Sequence, residues 1–252
     1  MTKVLVQKES DIGKILISNE EGKYNLVDIK FMHNLIDSLR MLDSNKEVRF
    51  VIIRGINNFG AGADIGELRR ASDNREYATN FFSTMFEMFR TLLNLSKITI
   101  ANVEGIAYGA SMEILLATDF VIASKNSKFA VPGGKIGVFP PVMLTLGKYR
   151  LGWNNVLKMA FLGRELNAEE AKQIGLVYEI TDNFEETNAN LIRELKQIAP
   201  SSLSMMRKIL FTEHEKELEK AFQELIDQVL TEDARTGVIS FLTKTKPKWA
   251  IL

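Results

Sequence analysis

Val103-Glu-Gly-Ile-Ala-Tyr-Gly-Ala-Ser-Met-Glu-Ile-Leu-Leu-Ala-Thr-Asp119 is the stretch that decides how this chain folds. The apolar, β-rich run from Ile98 to Val103 before it predicts a buried strand. Gly105 and Gly109 interrupt that strand, and from Ala110 the residues favour a helix buried through Ile114, Leu115 and Leu116. A strand, a glycine turn and a helix in succession leave free backbone N–H groups at the helix start, where the helix dipole favours negative charge. A developing oxyanion can be held there, for example by the N–H of Ala110. Glu113 lies in the first turn of the same helix, where the dipole favours its carboxylate form and suits it to be a general base rather than a general acid. The stretch also reads as a plain glycine turn before a core helix, with Glu113 only complementing the dipole.

A second stretch bears on that choice. Val51-Ile-Ile-Arg-Gly55 predicts another buried strand, and Asn57-Asn-Phe-Gly-Ala-Gly-Ala-Asp-Ile-Gly-Glu-Leu68 follows it. Together the two stretches resemble the enoyl-CoA hydratase/isomerase family, the crotonases. Phe59-Gly-Ala-Gly-Ala-Asp64 is similar to the first family motif, and Glu104-Gly-Ile-Ala-Tyr-Gly-Ala-Ser-Met-Glu113 to the second. Phe161 to Val177 resembles the family's later glycine–leucine–valine segment, and Thr231 to Trp249 resembles its ending. The motifs occur in the family's order and span nearly the whole chain.

Composition narrows the classes. The chain has 252 residues, 46% hydrophobic and 25% charged, which suits a globular protein with a sizeable core. Lys plus Arg and Asp plus Glu are equal at 32 each, so no general basic field for nucleic acid exists. Zero cysteines exclude disulfides and Cys-ligated metals. The two histidines stand far apart, which supports neither a Ser-His-Asp triad nor a histidine-rich zinc site, and no metal site is expected. No signal peptide and no membrane-length apolar run are evident, so a cytoplasmic protein without a membrane partner is expected.

Along the chain, Val4 to Val6 and Lys14 to Ser18 predict two strands joined by a turn at Asp11-Ile-Gly13. Asp28 is placed to cap a helix with Ile29, Met32, Ile36 and Leu39 on one face, and His33 beside that face reads as half-buried. Gly60-Ala-Gly-Ala-Asp-Ile-Gly66 is superficially similar to a dinucleotide fingerprint, but its third glycine is one place late and a loop separates it from the strand. Arg69 to Tyr77 is polar enough for a mobile lid, and Ala78 to Leu95 predicts an amphipathic helix rich in Phe and Met. Strands follow at Phe120 to Ala123 and Lys128 to Val131, then the loop Pro132 to Pro141. Strand and helix patterns alternate to about Ile180, which favours α/β architecture, and are helical beyond, with Ser201-Ser202 placed to cap a helix and a further helix over Glu217 to Leu230.

The resemblance implies a repeated ββα spiral core over residues 1–195 and a helical C-terminal trimerisation region over 196–252, assembled as a homotrimer or a dimer of trimers. It implies an acyl-CoA thioester as substrate, with CoA part of the substrate and no separate cofactor. The positions matching the family's backbone oxyanion donors are Ala63 and Ala110. Those matching its CoA-binding residues are Ala61, Asp64, Ile65, Phe241 and Lys244; the last two also read as part of a solvated basic tail. Family hydratases use two glutamates. Glu113 matches the first, whereas Phe129-Ala-Val-Pro-Gly133 puts Gly133 where the second belongs. The resemblance therefore implies an enoyl-CoA hydratase in name, with a single-carboxylate lyase such as a decarboxylase, or a weakly catalytic acyl-CoA-binding scaffold, as the other readings. Tyr108, Asp64 and Glu67 are the candidates for a substitute proton group.

Overall fold

Hydrophobic patterning sets the order of the main sheet. β1 (Lys3–Glu9) and β2 (Ile12–Ser18) form an antiparallel hairpin at one edge. β3 (Phe50–Gly55) and β4 (Ile98–Val103) are almost wholly apolar and lie in the middle, buried on both faces as central parallel strands must be. The computed structural model, which describes residues 1–251 apart from the side chain of Thr212, places them in a six-stranded sheet of order β1-β2-β3-β4-β6-β9, with β6 Phe120–Ala123 and β9 Glu179–Ile180. From β2 onward every neighbour is parallel.

The crossovers carry helices and a second layer of strands. α1 (Ile29–Ser44) links β2 to β3, and α2 (Ile65–Asp73) with α3 (Arg75–Leu93) links β3 to β4. Asp28 caps α1 by accepting from the Phe31 N–H at 2.7 Å, as its position predicts. After β4 the chain adds β5 (Ile106–Tyr108) and α4 (Ala110–Leu116); after β6 it adds β7 (Lys128–Ala130) and a 3₁₀ turn over Pro132–Ile136. β5 pairs parallel with β7, and β7 antiparallel with β8 (Leu166–Asn167). Single bridges, Val27 to Ala63 and Gly60 to Ala107, extend this small layer toward the N-terminus. The repeating unit is thus one strand in each layer and then a helix, which is the ββα spiral.

The helical run over 141–151 contains a π-helical turn, Met143–Gly147, and ends in α5 (Lys148–Leu151); α6 (Trp153–Val156), α7 (Ala168–Gln173) and α8 (Phe184–Leu195) follow. The C-terminal region is helical: α9 (Pro200–Thr212), α10 (Glu215–Val229) and α11 (Glu232–Thr243). Leu252 lies outside the described residues. The main core fills the space between the sheet and α1, α3, α4 and α10, and a smaller cluster of Phe50, Ile52, Ile98, Ile100 and Ile122 lies under Leu191 and Ile192 of α8. No described helix is long and apolar enough to cross a membrane.

Several local expectations need correction. The first turn centres on Ser10, whose φ is 55°, and Ile12 is already paired in β2. His33 points to solvent, one position off the buried face of α1. Arg69 to Tyr77 is no lid: Asn74 ends α2 and caps α3 by accepting from the Tyr77 N–H, so the segment is the joint between two helices. α9 begins earlier than its serines suggest, with Pro200 at its first position after Ala199.

Candidate active site

Two backbone segments meet at the centre of the small layer. Ala63 follows Gly62 on the loop after β3, and Ala110 follows Gly109 at the start of α4. A Cβ on Gly62 would stand 3.3 Å from the Ala110 nitrogen and 2.9 Å from the Tyr108 carbonyl oxygen, so the segments touch. Gly62 and Gly109 have φ of 94° and 50°, which no L side chain adopts readily. The loop is pinned on both sides of Ala63. The Ala61 N–H donates to the Asn25 carbonyl at 2.8 Å and the Asp64 N–H to the Val27 carbonyl at 3.0 Å. The Gly62 N–H donates to the hydroxyl of Ser111 at 3.2 Å, so α4 itself holds the loop. Among the described residues, the N–H groups of Ala63 and Ala110 have no acceptor, and Gly109 offers α4 no side-chain cap. These are two unpaired donors on touching segments, a cradle of backbone N–H groups.

Glu113 is one turn into α4 and 3% exposed. Its Oε1 accepts the N–H groups of Val142 at 2.7 Å and Met143 at 2.9 Å. Those donors open the helical run over 141–151, so the Glu113 carboxyl caps the start of the next helix. Burial nevertheless wins over these two bonds and pushes the carboxyl up to about 8. This corrects the expectation that the helix dipole sets its charge. A surface-type dipole effect of about 0.3–1 kcal/mol is smaller than the cost of burying an ion. Near neutral pH, Glu113 exists in both protonated and ionised forms.

Gly133 lies in the 3₁₀ turn. A Cβ there would meet the Val138 carbonyl oxygen at 3.3 Å and Val138 Cγ2 at 3.5 Å, a tight but adjustable fit. Of the three substitute groups, Asp64 caps α2 by accepting from Gly66 and Glu67, and Glu67 accepts the Tyr77 hydroxyl. Tyr108 is engaged as well. Its hydroxyl donates to Glu165, which also pairs with Lys128 at 2.9 Å, and burial together with Glu165 raises its pKa, so it stays protonated. Tyr108 sits opposite Ala130 in the β5–β7 pair, three residues before Gly133.

Ala61, Asp64 and Ile65 line the cradle's loop and the start of α2, close in sequence and space to Ala63. Phe241 and Lys244 are elsewhere. Phe241 is 58% exposed near the end of α11, and Lys244 closes that helix in a left-handed conformation. A cleft of about 770 Å³ beside the Gly133 turn is walled instead by Phe139, Pro140 and Leu144 on one side and Pro247, Trp249 and Ala250 on the other. Two positions gave no usable signal in the sequence. Ser111 looks like one more small residue, and its role appears only when the Gly62 N–H comes to it. The capping of a helix by Glu113 depends on backbone donors 29 and 30 residues away.

The α/β spiral thus sets two free backbone donors at the loop after β3 and the start of α4, the helix that carries the buried carboxyl of Glu113. The sequence profile of the enoyl-CoA hydratase/isomerase family matches residues 7–251. The chain is 30% identical to carnitinyl-CoA dehydratase of Shigella flexneri, over 94% of this chain and 95% of that one. It is 24% identical to the mitochondrial enoyl-CoA hydratase domain-containing protein 3 of Rattus norvegicus, over 97% and 83% of the two chains. The crystal structure of enoyl-CoA hydratase from Bacillus halodurans superposes with a TM-score of 0.87 at 20% identity, over 94% of this chain and 99% of that one. The chain belongs to the enoyl-CoA hydratase/isomerase family and has the crotonase fold.

Proposed function

We propose that this protein is an acyl-CoA hydratase or dehydratase working through an oxyanion-stabilised thioester enolate, nominally an enoyl-CoA hydratase. The observation that carries the reading is the pair of free N–H groups on Ala63 and Ala110 with Glu113 one turn away on the same helix. The thioester oxygen accepts from both donors, and their grip strengthens as enolate charge builds there, a contribution of several kcal/mol in sites of this kind. Ionised Glu113 takes the proton of a water adding to the β-carbon; protonated Glu113 returns it to a departing hydroxyl. A carboxyl pushed up to about 8 serves both directions near neutral pH. In the hydration direction the enolate α-carbon takes the proton of the Tyr108 hydroxyl, which otherwise donates to Glu165, and the phenolate so formed regains a proton from solvent water. The dehydratase relative supports this reading.

The CoA moiety is bound by the loop at Ala61, Asp64 and Ile65, with no separate cofactor. Phe241 and Lys244, facing outward at the end of α11, serve the site of a neighbouring copy in a homotrimer or dimer of trimers. Exposed Met205, Met206, Ile209, Leu210, Phe241 and Leu242 supply the apolar surface for that assembly.

A second reading rests on Gly133. With no side chain there, the site holds one carboxyl placed by motif, which suits a decarboxylase or another single-carboxylate lyase. Turnover of a panel of enoyl-, β-hydroxyacyl- and malonyl-type CoA esters separates the two. Hydration or dehydration at the highest kcat/KM supports the first reading, and preference for a malonyl-type ester supports the second. Binding without turnover of any ester overturns both in favour of an acyl-CoA scaffold.

A further inference from the structure

Three cations converge on a pocket away from the cradle. It has a volume of about 210 Å³ and lies where α9 meets the first residues of β3 and β4. Lys46, Arg49 and Lys97 line it, with Ser96 and Ser204. Among the described residues none of the three cations has a carboxylate within 4.0 Å. The nearby acids are occupied elsewhere: Glu47 pairs with Lys8, Asp11 with Lys196, and Asp43 accepts the N–H and hydroxyl of Ser96. Lys97 donates only to the Asn45 carbonyl. Arg49 is the most telling. Its Nη2 is buried without a hydrogen-bond partner, and its guanidinium rests over the Phe50 ring at 5.4 Å.

Two other guanidinium groups, those of Arg207 and Arg150, are handled differently. Arg207 donates to Asp119 and to the carbonyls of Leu92, Leu93 and Leu95; Arg150 donates to those of Leu115, Leu116, Thr118 and Asp119. An unpartnered buried guanidinium nitrogen beside two more cations is costly unless an acceptor enters.

We propose that this pocket binds a tetrahedral oxyanion, with inorganic phosphate as the ligand of fitting size and charge. Arg49 donates to its oxygens, Lys46 and Lys97 neutralise it, and the Ser204 hydroxyl reaches it from α9. Three cations exceed what one carboxylate neutralises, and 210 Å³ is too small for a nucleotide. Because Leu203 and Ser204 belong to α9 while Arg49 and Lys97 lead into the sheet, a bound phosphate staples the C-terminal region to the core.

The test is phosphate titration of the whole protein at fixed ionic strength, with chloride as the balancing anion, followed by calorimetry and by thermal unfolding. Saturable binding and a rise in Tm are expected. Arg49→Gln should weaken binding on the order of tenfold, and Lys46→Gln, at an exposed position, severalfold. Should Arg49→Gln fail to fold, Lys46→Gln decides. A repeat with the protein saturated in CoA separates this pocket from any site for the CoA phosphates, and phosphate binding should persist. No saturable binding, binding by both variants as tight as the parent's, or loss of binding when CoA is present overturns the proposal.

Discussion

At the scale of single residues, Glu113 carries opposed demands. Its neighbours Val142 and Met143 hold it as a helix cap, while burial holds a proton on it. The unfolded carboxyl titrates near 4.5 and the folded one at about 8. Between these values the native state keeps a proton that the unfolded chain has shed, so stability falls as pH rises through that window and levels off above it. Glu113→Gln keeps an acceptor for both N–H groups and removes the titration. Urea unfolding from pH 5 to 9 should show this slope in the parent and a flatter profile in the variant; parallel profiles would show that Glu113 titrates normally. Gly133 makes the complementary case. A Cβ there needs Val138 to yield by a few tenths of an ångström, so Gly133→Glu should fold and supply the second carboxyl. A placed acid or base is worth roughly 10²- to 10⁴-fold, and steady-state hydration of crotonyl-CoA should rise toward that range. An unchanged or lower rate in a well-folded variant would mean that Tyr108 already does the job or that the position is mismatched.

At the scale of elements, Arg207 shows what holds the C-terminal region in place. It projects from α9 into the core, 2% exposed, and ties Asp119, itself bonded to Thr99, to the carbonyl end of α3. Removing one partner of a buried pair costs about 3–5 kcal/mol. Arg207→Ala should lower unfolding free energy by about that much in urea titrations, and a loss under about 1 kcal/mol would mean that α9 is held by apolar packing alone. Elements with their own signals were legible in the sequence: the buried strand β4, the Asp28 cap of α1, the periodic face of α3 and the β4–α4 succession. Others were hidden for identifiable reasons. β5 is three residues long between Gly105 and Gly109, so it reads as part of a turn, and its partner β7 lies some twenty residues on. Asn74 serves as the end of one helix and the cap of the next, which disguised two helices as a polar lid. Arg207 stands in a run of ordinary polar and apolar residues, and nothing local announces its burial.

At the scale of the whole molecule, the spiral brings distant segments into one place. The loop after β3, the start of α4 and the Pro132–Ile136 turn come together because each follows or forms a strand or bridge of the small sheet. α11 buttresses this assembly from outside, where a Cβ on Gly237 would lie 2.5 Å from the Ile136 carbonyl carbon. The sequence singles out Ala63 and Ala110 by motif alone; the touching of their backbones was not legible, because spacing does not encode the approach of Gly62 to Ala110. The apolar residues left exposed on α9 and α11 should draw copies together, so light scattering at micromolar concentration should report a trimer or hexamer, and a monomer would remove the shared CoA site. The central claim is that the Ala63–Ala110 cradle and Glu113 act together on a thioester. Its most direct test is the hydration of crotonyl-CoA by the parent and by Glu113→Gln, both verified as folded and CoA-binding. Measurable hydration abolished in the variant is the predicted result, and hydration that survives the substitution unchanged would contradict it.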